Sequence, residues 1–212
     1  MKYMLNEEFG ETGARILITA ESLFAQHGFN GISLRQITAR AGVNLAAVNY
    51  HYSDKRSLCR DILIYRLREV NRVRLDNLSQ AEARGSIVPL GEIIEIMARP
   101  LFQPGSDPTA YNAASIRLLG RIIAEPLSFT AEIVTTELQP VMTRFGQAIR
   151  RHVPGLSPPD FLWRFSLVIG AMHQAMATLH YMKTLTNGIC RNDDFEGARR
   201  NFTTFALRAL AR

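Results

Sequence analysis

Between Ser33 and Tyr52 the chain reads Ser-Leu-Arg-Gln-Ile-Thr-Ala-Arg-Ala-Gly-Val-Asn-Leu-Ala-Ala-Val-Asn-Tyr-His-Tyr. Its polar side chains are of the kinds that hydrogen-bond nucleic acid. Asn44 and Asn49 carry donors and acceptors for base edges or phosphates. Tyr50 and His51 can hydrogen-bond phosphate oxygens. Lys55, with the free amides at the start of the next helix, makes an anion site. Ala46 and Ala47 are small enough for a helix backbone to approach base edges. Each residue alone also has a plainer use: Asn44 caps a helix and Lys55 is a solvated charge.

Other chemistry-bearing residues are scattered. His173 and His180 stand two helical turns apart, but a metal needs a further ligand and nothing marks one. They read as structural histidines or as polar groups of a pocket. Arg117 lies among Ala113, Ala114, Gly120 and Arg121. Small neighbours leave room for a ligand beside a cation, and an arginine paired with a carboxylate fits equally well. Met97, Met142, Met172 and Met176 fit an adaptable pocket or plain core. There is no glycine-rich phosphate loop and no Gly-x-Ser-x-Gly. Cys59 and Cys190 have no histidine motif nearby and read as reduced thiols of a cytoplasmic protein. No catalytic residue, metal or cofactor is therefore assigned.

The elements that must position these residues are helices. Apolar residues recur at helical spacing and no alternating strand pattern is convincing, so the expected fold is all-α. Ile16, Ala20, Leu23 and Phe24 form the stripe of a first helix that Gly28 ends. Ser33 caps a short second helix with Leu34, Ile37 and Ala41 inward. Gly42 supplies a left-handed turn. Asn44 caps a third helix reaching about Tyr52, and Ile37, Val43 and Val48 meet inside to fix the angle between the two. Such a helix-turn-helix pushes its second helix outward toward a major groove. A fourth helix runs from about Lys55 to Leu78. Its Arg56, Arg60, Arg66, Arg68, Arg72 and Arg74 read as a solvated face or as inter-domain salt bridges. Ala81 to Pro89 reads as a domain boundary. Later helices are expected at Thr109–Ala124, Pro126–His152, Pro158–Thr184 and Asp193–Ala211, after a loop from Gln103 to Pro108. Pro126 and Pro158 suit first-turn positions, whereas Pro140 should kink or split its segment. The division is residues 1–56 for DNA binding, 57–85 as connecting helix and linker, and 86–212 for effector binding and dimerisation.

The stretch from Ala14 to Leu63 resembles the N-terminal domain of the TetR family of bacterial repressors. The resemblance rests on Ala20, Leu23, Phe24, Gly28-Phe29, Ser33-Leu34-Arg35, Ile37, Ala41-Gly42-Val43, Tyr50-His51-Tyr52 and Lys55. Thr38 stands where the family usually has alanine, and Asn49 where it often has an aromatic residue. The resemblance implies that Ser33 and Arg35 touch phosphates from the second helix, with Gln36 beside them. It implies that Asn44, Leu45, Ala46, Asn49 and Tyr50 face the groove, and that His51 and Lys55 clamp the backbone. Residues 86–212 resemble the family's second domain in outline. Arg117-Leu118-Leu119-Gly120 and Trp163-Arg164, with the block Gly42 to His51, are similar to the fatty-acid-responsive PsrA-like group. That implies a fatty acid or acyl-CoA effector. The candidate pocket comprises Met97, Arg117, Arg121, Met142, Trp163, Met172, His173, Gln174 and Tyr181.

The helix from Phe161 to Thr184 is apolar on two sides and must be covered on both. Ala171, Ala175 and Thr178, with Phe202, Phe205 and Ala209 of the last helix, are the expected homodimer interface, giving a four-helix contact. Reading a palindrome needs two copies about 34–36 Å apart. A single monomeric core is the plainer alternative.

Composition agrees with a regulator. The chain has 212 residues, 47% hydrophobic, and a net charge of +6. The basic balance favours a polyanion, either nucleic acid or an anionic membrane surface. No run of signal-peptide or membrane-span length is present; Arg164, His173, Gln174 and His180 interrupt the most apolar region. The expected function is a ligand-responsive, dimeric DNA-binding repressor with a double-stranded operator. The alternatives are a non-enzymatic interaction module or an acyl-binding enzyme on the same scaffold.

Overall fold

The structure, a computed structural model, describes residues 2–102, 113–124 and 126–211, and among these there are helices and turns but no strand. The expected loop from Gln103 to Pro108 and the expected helix start at Thr109 lie outside the described residues. The helices are α1 (Lys2–His27), α2 (Leu34–Ala41), α3 (Leu45–His51), α4 (Lys55–Glu82), α5 (Leu90–Ala98), α6 (Ala113–Ala124), α7 (Thr130–Ile133), α8 (Gln139–Arg150), α9 (Pro158–Thr178), α10 (Met182–Leu185) and α11 (Phe195–Leu210). A π-helical turn, Val134–Leu138, joins α7 to α8, and a 3-10 turn, Leu179–Tyr181, joins α9 to α10. They group into two compact units. The first holds α1 to α3, the start of α4, α6 and α7; the second holds α4 from Val70 onward, α5 and α8 to α11.

In the first unit α1 packs on α2, α3 and α6. Ile16, Ala20 and Phe24 of α1, Ile37 of α2, Val48 of α3 and Leu58 and Ile62 of α4 are all fully buried. Short helices such as α2 and α3 are marginal in isolation, so this shared core holds them in place. The first unit also contains a buried ion pair. The Arg66 guanidinium, 1% exposed, donates to both oxygens of Glu21, and the Ser115 hydroxyl of α6 donates to Glu21 Oε1 at 2.6 Å.

The second unit is centred on α5, α9 and α11, with α8 against α5. Met97, Phe102, Phe145, Val168, Met172 and Phe202 are buried, and the rings of Phe102 and Phe202 stack at 5.7 Å. Arg74, 2% exposed, is threaded into it. Its Nε donates to Met97 O at 2.8 Å and its Nη1 to Asn71 Oδ1 at 3.3 Å, while Asn71 Nδ2 donates to Glu137 O.

Two expectations change. Arg66 and Arg74 are not a solvated face, because each turns inward onto partners remote in sequence; Arg72 is exposed and pairs locally with Asp76. Pro126 does not open a helix: α7 starts at Thr130, whose hydroxyl accepts from Leu127 N. The expected split of the Pro126–His152 segment at Pro140 is found: the π-helical turn precedes α8, and Pro140 sits in its first turn, where no amide hydrogen is required. The acidic N-terminus is helical: α1 begins at Lys2, with non-helical angles at Gly10 (φ 69°, ψ 166°) that divide it into two helices end to end.

Candidate nucleic-acid interface

The geometry of α2 and α3 follows from three caps. Ser33 and Gln36 form a reciprocal capping box: Gln36 N donates to Ser33 Oγ, and Ser33 N donates to Gln36 Oε1 at 2.8 Å. Gly42 closes α2 in the left-handed region (φ 64°, ψ 39°), where a β-carbon would strain the backbone. Asn44 Oδ1 accepts from Ala47 N at 2.8 Å and starts α3. Thr38, unusual for the resemblance, is buried with its hydroxyl donating to Arg35 O. Val48 is the buried anchor of α3, and Tyr52 ends it with its N–H on Val48 O at 2.7 Å.

The remaining side chains of α3 look outward. Asn44, Leu45, Ala46, Asn49 and Tyr50 are exposed, Tyr50 at 85%. Arg35 and Arg40 are exposed on α2. No carboxylate occurs between Glu21 and Asp54, so an anion meets amides and cations there without a like charge. His51 is half-buried: it stacks edge-on against Tyr50 and lies over Gly13, where a β-carbon would come within 3.0 Å of His51 Nδ1. Lys55 is engaged inside the unit, its Nζ donating to Phe29 O (2.9 Å) and Ile32 O (2.8 Å) and standing 4.3 Å over the Phe29 ring. Two of its three N–H groups are thereby used. Ser33 and Gln36 serve each other as caps, and Asn44 keeps only its amide donors for another molecule.

The expected effector residues are divided between the two units. Arg117 and Arg121 belong to the first unit; Arg121 is exposed and reaches Gln26 O. Trp163 is 71% exposed, and Gln174 and Tyr181 are also exposed. Met97 and Met172 are buried core and Met142 is half-buried. Met97 and His173 do share a neighbour, Arg74. Burial, and then the Arg74 charge, push the His173 imidazole down to about 4, while its Nδ1 faces Ile169 O at 3.0 Å. The side chain of His180 lies outside the described residues. Unfolded, His173 takes its proton near pH 6.5; folded, it resists to about 4. Stability should therefore be complete above about pH 6.5 and fall as pH drops toward 4. Urea midpoints at pH 7 and pH 5 should differ more in the wild type than in His173→Gln; equal shifts would remove His173 from the account. Burial also pushes the Cys59 thiol up to about 12, which disqualifies it as a nucleophile at neutral pH.

Five of the six expected dimer residues share a surface. Ala171, Ala175, Thr178, Phe202 and Phe205 line an apolar groove of about 670 Å³ between α9 and α11. Ala209 stands apart, its carbonyl accepting from Arg164. Sequence reading missed an adjoining row on α9, where Leu162, Trp163, Leu167 and Gly170 are exposed. The spacing of Trp163, Leu167 and Gly170, four and then three residues, was the available signal, obscured because α9 is apolar on more than one side.

Comparison with known proteins supplies the context. Residues 16–62 match the model of bacterial regulatory proteins of the tetR family, and residues 95–208 match that of the tetracyclin repressor-like C-terminal domain. The HTH-type transcriptional regulator AcrR of Shigella flexneri is 31% identical over 131 residues, a stretch spanning 62% of this chain and 56% of that relative. Among solved structures, a transcriptional regulator of the TerR/AcrR family from Aquifex aeolicus superposes with a TM-score of 0.58 at 16% identity, covering 93% of this chain and 98% of that one. A gamma-butyrolactone receptor (ArpA-like protein) superposes with a TM-score of 0.59 at 21% identity, covering 96% and 97%. These likenesses bear on the fold. Among the described residues no helix is long and apolar enough to cross a membrane.

Proposed function

We propose, given that the chain belongs to the TetR family of bacterial regulatory proteins, that this transcriptional regulator is a repressor holding a palindromic operator as a homodimer. A small apolar or acyl effector, a fatty acid or an acyl-CoA, releases it. The observation that carries the reading is the outward face of α3 on a carboxylate-free frame. Asn44 through its amide, Leu45, Ala46 and Asn49 read base edges; Arg35, Tyr50, His51 and the remaining N–H of Lys55 hold phosphates. Ser33 and Gln36 fix the start of α2, whose first amides have no intrahelical partner and suit a phosphate. Selection of duplexes from a random pool by the full-length protein tests the reading, and recovery of no preferred sequence would overturn it.

The dimer surface in this reading is the exposed row Leu162, Trp163 and Leu167, continued by the groove with Ala171, Ala175, Thr178, Phe202 and Phe205. An apolar surface of that extent calls for a partner, and a second copy supplies the twofold symmetry a palindrome requires. Leu167→Arg places a charge on that row without touching the core. Sedimentation should show it monomeric at micromolar concentration where the wild type is dimeric; an unchanged dimer would move the interface elsewhere. For the effector, the interior of the second unit around Arg74, Met97 and His173 offers a buried cation beside flexible apolar side chains, which suits an acidic or polar head on an apolar tail. The effector must favour the conformation whose two α3 helices miss the groove spacing, or no release follows.

A further inference from the structure

The matched N-terminal model begins at residue 16, yet the helix it enters begins at Lys2, with the break at Gly10. The extra piece is not idle surface. Leu5 is fully buried. Phe9 stacks on Tyr52 with ring centroids 6.1 Å apart, and meets Tyr65 of α4 edge-on at 5.7 Å. Tyr52 is the residue that ends α3: its N–H holds Val48 O, and its buried hydroxyl donates to Gly13 O at 3.0 Å. Just beyond the break, a β-carbon on Gly13 would stand 3.0 Å from His51 Nδ1 and 3.2 Å from Phe9 Cβ. His51 at the end of α3 and Tyr52, its cap, are thus shaped against Phe9 and Gly13.

With only seven residues, α3 has little stiffness of its own, so its direction is set by what its buried side chains rest on. Those are Val48, which faces the core, and Tyr52, which faces Phe9. We infer that the segment from Leu5 to Gly13 is a positioning element for DNA recognition: by packing Phe9 on Tyr52 and the Gly13 backbone on His51, it fixes the angle at which α3 presents Asn49 and Tyr50. Phe9 touches no DNA; it acts through Tyr52. The inference rests on the proposed use of α3 to read DNA.

Its signature is a loss of discrimination rather than a uniform loss of binding. Base contacts need α3 at one angle, whereas charge attraction to phosphates tolerates a range. The test compares full-length proteins on two probes: the duplex that the wild type selects from a random pool, and a shuffled duplex of the same composition. Removing an aromatic contact of this kind should lower the selected-to-shuffled affinity ratio of Phe9→Ala about five- to tenfold. Affinity for the shuffled duplex and the salt dependence should stay as in the wild type. Phe9→Leu, which keeps an apolar contact with Tyr52, should hold the ratio within about twofold of wild type on the same grounds. Gly13→Ala crowds both His51 and Phe9, and should lower the ratio in the same direction. All measurements are made well below each variant's melting temperature. A Phe9→Ala protein that melts earlier but keeps the wild-type ratio would show a merely structural role and overturn the inference. If the wild type itself selected no duplex, the DNA-reading proposal would fall, and this inference with it.

Discussion

Replacing Arg66 with alanine in the full-length chain should lower the free energy of unfolding by about 3–5 kcal/mol, the usual cost of leaving a buried partner charge uncompensated. Arg66 and Glu21 are both almost completely buried, and the guanidinium holds both carboxylate oxygens. With Arg66 gone, the Glu21 carboxylate keeps the Ser115 hydroxyl but loses its countercharge. It must then protonate, draw in water or force the helices apart. The loss is a large part of the roughly 5–15 kcal/mol that holds a typical domain together. The paired replacement Glu21→Leu with Arg66→Met should cost far less than Arg66→Ala, because an apolar pair carries no desolvation penalty. Urea unfolding monitored by helical circular dichroism measures all three proteins. A single-variant loss below about 1 kcal/mol, typical of an exposed pair, would show that this ion pair is solvated in solution.

The second large effect is on DNA and leaves stability alone. Ala46 is exposed on α3, one turn from Asn49 and Tyr50. Ala46→Glu adds a carboxylate to the face meant for phosphates and base edges, in a frame that otherwise has none between Glu21 and Asp54. A like charge at such a contact costs several kcal/mol, so affinity for the selected duplex should fall about 100-fold or more. Glutamate is an acceptable helix former and position 46 touches no core, so the melting temperature should stay within a few degrees of wild type. Retained affinity would place the DNA-binding surface away from α3.

The helix-turn-helix was legible in the sequence because its caps and its turn are local. Ser33 and Gln36 are three residues apart, Gly42 acts on its own backbone, and Asn44 caps the helix it precedes. Ile37 and Val48 show their inward direction by spacing alone. What was not legible depends on distance along the chain. The partner of Arg66 is 45 residues away and that of Ser115 is 94 residues away, so periodicity alone left the arginines of α4 between a solvated face and salt bridges with no partner named. Arg74 is the same case, since its backbone acceptor is Met97 O. On α9 the difficulty is different. A helix apolar on more than one side carries no moment to say which stripe faces the core, and Trp163 was set in a pocket although it is exposed. The stripe read from the sequence starts at Ile16; before it Glu7, Glu8 and Glu11 dominate the composition, while Leu5 and Phe9, four residues apart, pack inward.

DNA binding by the carboxylate-free face of α3, with the cations Arg35 and Arg40 on α2, is tested most directly by fluorescence anisotropy of a labelled duplex titrated with protein from about 50 to 200 mM salt. For the wild type on its selected duplex, log affinity should fall linearly with log salt, with a slope of about −0.9 for each phosphate neutralised. Ala46→Glu should lie far below that line at every salt concentration. A flat salt response by the wild type, or a line for Ala46→Glu that overlies it, would contradict the account.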